Sequence, residues 1–281
     1  AEKYLGEVNP ANVFSGTIGR SLETAEDGFS RGCYYNNTGL LSSGFGTAVD
    51  ALMAVRDFVY DKKTVTLEQL KKILADNWKD HEKLRQQILH SKNKYGNGIE
   101  DVDRYAGALS KYFGMCVNGR PNARGGVWMA SGHSARMFII LGEKTGATPD
   151  GRFDGEEMSK NLSPTMGMDV NGVTALLKTM SHMDAADLPG DFPLDVMMHP
   201  SSVAGDDGLA AWRTLIRTYM ANYGLAIHFN IFDAAQLKEA QNHPEKYQGL
   251  QVRVCGWNVH FVELDKKEQD MYIRRAENIG E

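Results

Sequence analysis

The sequence has few cysteines and no long apolar run, and each of these shortages excludes some classes of protein. Its three cysteines, Cys33, Cys116 and Cys255, are an odd number without metal-ligand spacing. They imply neither a disulfide framework nor a metal site, and a reducing cytoplasm is the compartment that fits them. The longest apolar run, around Met137 to Leu141, is too short to span a bilayer. The N-terminus lacks the basic start and apolar core of a signal peptide.

The chain also lacks a dominant charge. Acids and bases are mixed along it, the formal net charge is −5, and no basic stripe favours nucleic acid as a partner. With 42% hydrophobic and 24% charged residues, the composition is that of a folded, soluble protein. Its 281 residues are enough for one large domain or two small ones.

Hydrophobic spacing predicts helices that alternate with short extended segments. A capping box of Thr66 and Gln69 predicts the start of one helix. An apolar run of strand length predicts a strand over 225–232. This rhythm is typical of an α/β fold. The other predicted helices cover 47–60, 101–113, 172–181, 209–223, 234–242 and 266–277.

The most informative segment is 250–262, which reads as two extended arms about Cys255-Gly256. A single glycine in a strand pattern usually marks a bulge or a tight turn. Here, however, Arg253-Val254-Cys255-Gly256-Trp257-Asn258-Val259-His260-Phe261 resembles the radical-bearing signature of the pyruvate formate-lyase family of glycyl radical enzymes, Arg-Val-x-Gly-Tyr-x-x-x-Phe. Trp257 replaces the tyrosine and keeps an aromatic ring. Further segments resemble the family in the same order, at 145–152, 163–169, 172–175, 228–233 and 237–247.

The resemblance implies a fold and a division of the chain. The fold is α/β, the C-terminal half of a ten-stranded α/β barrel of the glycyl radical enzyme type. Residues 1–172 would be the second-half barrel region of the lyase domain. Residues 173–281 would be a C-terminal glycine radical domain, with the radical loop near 250–262. Half a barrel would expose unpaired strand edges and apolar faces, so we expect the chain to associate with an N-terminal portion or subunit, as an oligomer.

The resemblance also implies the chemistry. Gly256 would be the catalytic residue that stores a radical, installed by a radical S-adenosylmethionine activating enzyme and needing no bound cofactor. The flanking amide nitrogen and carbonyl delocalise the unpaired electron, whereas a side chain would twist the centre out of plane. Because oxygen adds to such a radical and cuts the backbone, we expect the segment to be buried and the enzyme to be anaerobic. The expected supporting residues of the loop are Arg253, Val254, Cys255, Trp257 and Phe261.

The family mechanism needs a second residue, a cysteine that passes the radical to the substrate. Cys33 lies in a segment that resembles one after the family's catalytic loop, and Cys255 reads as a small filler. Cys116 lies in a stretch that aligns with no family segment. We therefore expect the thiyl cysteine outside this chain, on the N-terminal portion or a separate subunit.

Two residues on the predicted strand, His228 and Asn230, are pocket candidates. For His228 and for His260 a hydrogen-bonded core histidine is the favoured interpretation. Asp206 and Asp207 read as a helix N-cap pair.

The function that the resemblance implies is a lyase that cleaves or eliminates a group from a small metabolite. Cys255 and Trp257 favour the decarboxylase or dehydratase branches. The alternative is a non-catalytic replacement subunit that supplies an intact radical glycine to an oxygen-damaged enzyme. A binding module that has lost the radical is disfavoured by the intact Gly256 segment.

Overall fold

The computed structural model describes residues 2–254 and 256–280, so Cys255 lies outside the described residues. The helices are α1 Leu5–Val8, α2 Asn12–Ser15, α3 Gly19–Thr24, α4 Phe45–Val55, α5 Leu67–Ala75, α6 Glu82–Leu89, α7 Glu100–Val117, α8 Met137–Gly142, α9 Gly172–Met180, α10 Gly205–Ala221, α11 Ala234–Asn242 and α12 Lys266–Gly280. The strands are β1 Thr38–Leu41, β2 Trp128–Ser131, β3 Pro193–Met198, β4 Ala226–Ile231, β5 Gln251–Val254 and β6 Trp257–His260.

Every helix predicted from the sequence is present, with ends that differ by a few residues. The start of α5 is the one predicted: the Thr66 hydroxyl accepts from the Gln69 amide at 3.1 Å. In return, the Gln69 side chain accepts from the Thr66 amide at 2.8 Å. The helix predicted over 47–60 is α4, which continues into a π-helical segment at Arg56–Asp61. The predicted strand is β4.

The strands form three two-stranded sheets within the described residues. β1 pairs with β2 and β3 pairs with β4, both in parallel. A parallel bridge between Ser131 and Asp191 places the start of β3 beside the end of β2. Helices separate the parallel strands along the chain, which is the α/β arrangement that the alternation predicted. β5 and β6 form the third sheet, an antiparallel hairpin.

Strand β3 is buried at all six positions and separates two apolar cores. Leu194 and Val196 join the main core on one side, together with half-buried Phe229 of β4. Met197 faces the opposite way and joins a second core that contains β5 and α12. The hairpin is therefore built onto the face of β3 and β4 opposite the main core.

Large apolar side chains remain at the surface of this chain. Tyr223 is 80% exposed, Leu225 is 59% exposed and Trp257 is 48% exposed. Exposed apolar faces are what the sequence led us to expect of a partial barrel. Among the helices described here, none is long and apolar enough to cross a membrane.

Candidate functional site

The hairpin of β5 and β6 places Gly256 at its tip. Val254 pairs with Trp257, so the connection consists of position 255 and Gly256. Gly256 has a φ of +102°, a conformation that residues with a side chain rarely adopt. A Cβ built on Gly256 would meet no atom within 4 Å. The backbone conformation, not crowding, is therefore what requires glycine here within the described chain.

The arm that leads to the tip is buried, but the tip is not. Val252 is 1% exposed and Val254 is 7% exposed, and both join the second core. Gly256 and Trp257 are exposed. The expected burial of the whole segment is therefore wrong at the tip. To shield the tip from solvent, other atoms must lie over the turn. The described residues place none within 4 Å of the Gly256 Cβ position.

Two side chains hold the backbone of Arg253, three positions before Gly256. The Arg253 amide donates to Asn230 Oδ1 at 2.9 Å, and Asn230 Nδ2 donates to the Arg253 carbonyl at 3.3 Å. The Tyr272 hydroxyl of α12 donates to the same carbonyl at 2.9 Å. Asn230 is 2% exposed and Tyr272 is 1% exposed, so these bonds form away from water. The pocket candidate Asn230 therefore contacts the hairpin itself.

The supporting residues take different positions around the hairpin. The Arg253 side chain donates to Asn258 at 3.1 Å across the two arms. Phe261 is fully buried just after β6, and its amide donates to the Leu250 carbonyl at 2.8 Å. Gln269 of α12 donates to the Phe261 carbonyl at 3.1 Å. The end of the hairpin is thereby fixed to α12.

His228 lies two residues before Asn230 and faces a buried ion pair. Its Nδ1 is 3.4 Å from Asp195 Oδ1, and Lys160 Nζ is 3.0 Å from the same oxygen. Burial raises the pKa of Asp195, but the charge of Lys160 and the His228 hydrogen bond together hold it well below its usual range. His228 is thus a hydrogen-bonded histidine that is largely buried, as the favoured interpretation expected. Sequence patterns gave no sign of Lys160 or Asp195.

The remaining candidate residues are His260, at the end of β6, and the cysteines. Half-buried His260 has a buried Nδ1 without a hydrogen-bond partner in the described chain. Cys33 is half-buried and its thiol lies 3.6 Å from the Gly28 carbonyl, whereas Cys116 is exposed on α7. No group of three or more His, Cys, Asp or Glu among the described residues is arranged to hold a metal ion.

The N-cap prediction for the acidic pair is wrong. The N-cap of α10 is Ala204, without a side-chain cap, and Asp206 and Asp207 occupy the first turn. Carboxylates there still oppose the positive end of the helix dipole, so the acidic pair suits the position without capping it.

Comparison with known proteins places this geometry in a family. Residues 1–142 match the family described as Pyruvate formate lyase-like, and residues 158–262 match the one described as Glycine radical. The chain therefore belongs to the glycyl radical enzymes of the pyruvate formate-lyase type. It is 33% identical over 98% of its length to trans-4-hydroxy-L-proline dehydratase of Clostridioides difficile, covering 35% of that protein. It is 30% identical over 96% of its length to (2S)-3-sulfopropanediol dehydratase of Klebsiella oxytoca, covering 33% of it.

Solved structures agree with the fold. The chain matches a solved structure that concerns 1,2-propanediol dehydration in Roseburia inulinivorans. The TM-score is 0.89 and the identity 32%, over 97% of this chain and 35% of the other chain. It matches the glycerol-bound, B12-independent glycerol dehydratase of Clostridium butyricum with a TM-score of 0.88 and 33% identity, over 96% and 34%. The neighbours are α/β barrels, so the predicted partial barrel is confirmed. The chain spans about a third of their length. The division into 1–172 and 173–281 stays a prediction.

Proposed function

We propose that the chain is the radical-storing, C-terminal portion of a glycyl radical lyase, with the unpaired electron on Gly256. The observation that carries this proposal is the position of Gly256 at the tip of a hairpin whose first arm is buried and hydrogen-bonded. A radical-bearing α-carbon has to be held steadily and has to be reachable at its C–H bond. The hairpin offers both, because its base is fixed in a core and its tip is open.

The chemistry consists of hydrogen-atom transfers. An activating enzyme of the radical S-adenosylmethionine type removes one hydrogen atom from the Gly256 α-carbon. The glycyl radical then takes a hydrogen atom from a cysteine thiol, which restores the glycine and leaves a thiyl radical. The thiyl radical takes a hydrogen atom from a substrate carbon. The substrate radical then loses a neighbouring group, and the product radical takes the hydrogen atom back from the thiol. The re-formed thiyl radical takes a hydrogen atom from the Gly256 α-carbon, which restores the stored radical and closes the cycle.

The cysteine would come from an N-terminal portion or subunit that covers the hairpin tip. The chain spans about a third of its relatives, and no atom of the described residues lies within 4 Å of a Cβ built on Gly256. Half-exposed Trp257 lies beside Gly256 and is the natural contact for such a cover. Enclosure by the second portion would supply the dryness and oxygen exclusion that this chain alone does not provide.

Elimination of a small group from a small polar metabolite is the reaction class that we infer. The similar proteins include dehydratases and an isethionate sulfite-lyase, and an indoleacetate decarboxylase of Tractidigestivibacter scatoligenes is 29% identical to the chain. The substrates named for those proteins indicate a class of reaction, not the metabolite used here. The two branches that the sequence favoured, dehydratase and decarboxylase, therefore both remain in the proposal.

Anaerobic electron paramagnetic resonance is the direct test. Activation with a radical S-adenosylmethionine enzyme should produce a doublet from the single α-hydrogen of a glycyl radical. Gly256→Ala should abolish the doublet, whereas Gly146→Ala, in the loop after α8 and with no described atom within 4 Å of the Cβ position, should keep it. A doublet that survives Gly256→Ala would place the radical elsewhere. Exposure to air should cut the activated wild-type chain at residue 256, which mass spectrometry of the two fragments measures.

A second measurement separates the lyase from the replacement subunit. The protein that co-purifies with the chain should carry the radical-accepting cysteine and no radical glycine segment of its own. If that partner instead contains an oxygen-cut glycine segment, the chain is a replacement subunit.

A further inference from the structure

The outer edge of β5 is closed by a side chain rather than by a strand. In an antiparallel hairpin, paired residues alternate between pairs that exchange backbone hydrogen bonds and pairs that do not. Val254 and Trp257 flank the turn and form the first pair. Arg253 and Asn258 form the next pair, and their backbone amides and carbonyls point away from the opposite arm. Asn230 meets both outward groups of Arg253, accepting from its amide and donating to its carbonyl. The carboxamide thus takes the place of a neighbouring strand's peptide.

The tip of the hairpin has few other constraints. In the part of the chain that the structure describes, no atom lies within 4 Å of a Cβ built on Gly256, and the second arm is exposed at Trp257 and Asn258. The position of the Gly256 α-carbon is therefore set mainly through β5. Along β5, Arg253 is the residue whose backbone is held by groups outside the hairpin, at 2.9 Å and 3.3 Å from Asn230 and 2.9 Å from Tyr272.

We propose that Asn230 and Tyr272 are positioning residues for the radical glycine, and we call their bonds to Arg253 the amide clamp. The amide clamp fixes the peptide of Arg253. Because only a short segment separates Arg253 from Gly256, it also sets the position and orientation of the Gly256 C–H bond. The effect on a radical at Gly256 rests on the proposed function, whereas the hydrogen bonds to Arg253 do not depend on it. Asn230 is the central member because it holds both backbone groups of one residue.

The chemistry of the clamp predicts which substitutions matter. Asn230→Asp keeps the size and the acceptor but loses the donor, and it sets a carboxylate oxygen against the Arg253 carbonyl. Tyr272→Phe keeps the buried ring and removes one of two donors to that carbonyl. The aspartate variant should therefore loosen the hairpin more than the phenylalanine variant, and the double variant most of all. Asn222→Ala is the control, because the side chain of that asparagine donates only to the Thr218 carbonyl at the exposed end of α10 in the described structure.

Hydrogen exchange measured by mass spectrometry tests the geometry on the chain itself. In Asn230→Asp the amides of residues 251–260 should exchange about tenfold faster, the factor that corresponds to one hydrogen bond of ordinary strength. Peptides from α4 and α7 should exchange as in the wild type, and Asn222→Ala should change neither region. Equal acceleration across the whole chain would reduce Asn230 to a stability residue and overturn the clamp. Unchanged exchange in 251–260 would overturn it as well.

The lifetime of the radical tests the consequence. After anaerobic activation, the glycyl doublet should form in Asn230→Asp and decay several-fold faster than in the wild type when dithiothreitol is added as a hydrogen-atom donor. Tyr272→Phe should fall between the two proteins. Equal decay in all of them would overturn the positioning role. A wild-type chain that never shows the doublet would instead refute the proposed function, and hydrogen exchange alone would then decide whether the clamp exists.

Discussion

A buried carboxyl on α4 should make the stability of this protein fall as the pH rises. Asp50 is 1% exposed, and its Oδ1 accepts from the Tyr95 amide at 2.7 Å. Its Oδ2 has no hydrogen-bond partner among the described residues. Burial raises the pKa of Asp50 from 3.8 to about 7, although the nearby charge of Lys94 opposes the rise. The folded protein therefore keeps a proton that the unfolded chain releases.

The magnitude follows from the difference between the two pKa values. The contribution of Asp50 is fully present below 3.8, the unfolded value, and is lost as the pH rises toward about 7. Over that window the free energy of unfolding should fall by about 1.4 kcal/mol for each pH unit. The total loss is roughly 4 kcal/mol by pH 8, for a difference of about 3 pKa units.

Asp50→Asn removes the titration and keeps an oxygen for the Tyr95 amide. The new amide group replaces the unpartnered oxygen, so it adds a constant cost of roughly 1–3 kcal/mol that does not vary with pH. Urea unfolding followed by fluorescence between pH 5 and pH 8 measures both proteins. The free energy of unfolding of the variant, relative to the wild type, should rise from pH 5 to about pH 7 and then level off. A difference between the two that stays flat across this range would refute a buried, proton-retaining Asp50.

Two further substitutions should change the free energy of unfolding by amounts set by their surroundings. Asp195→Asn removes the carboxylate that pairs with the buried ammonium of Lys160 and should cost about 3–5 kcal/mol, measured by urea unfolding at neutral pH. A cost below about 1 kcal/mol, typical of exposed pairs, would contradict a buried ion pair. Thr66→Ala removes the cap of α5 and should cost about 1 kcal/mol, with Thr64→Ala as a control that lacks the capping position. Equal losses in the two threonine variants would contradict the capping box.

The parts of the site that sequence reasoning predicted are those encoded by neighbours in the chain. The capping box joins Thr66 to Gln69, three positions apart, and the hairpin around Gly256 follows from two short apolar arms. Local patterns of this kind determine the conformation of the few residues that form them. Asn230, which they placed only in a pocket, lies 23 residues before the Arg253 that it holds.

Contacts between distant segments were out of reach. Lys160 and Asp195 are 35 residues apart, and each is a single charged residue in a stretch without periodicity. Only the fold reveals that they meet, and that the pair sits beside His228. Tyr272 is one position in a helix predicted from the sequence, yet its hydroxyl donates to the Arg253 carbonyl of the hairpin. The exposed tip was missed for another reason: a local pattern does not show which distant atoms cover a turn, and the described residues place none within 4 Å of the Gly256 Cβ position.

A stored glycyl radical needs a fixed backbone and a closed environment, and the hairpin separates these two requirements. The fixed part is β5, which carries Val252 and Val254 into the second core and holds Arg253 in polar contacts beneath the turn. The open part is the tip and the start of β6, where Gly256 and Trp257 are exposed. An activating enzyme needs the open part, whereas a long-lived radical needs it covered. On the proposed function, a covering portion that binds over the tip after activation would satisfy both in turn, because contacts within this chain already hold β5.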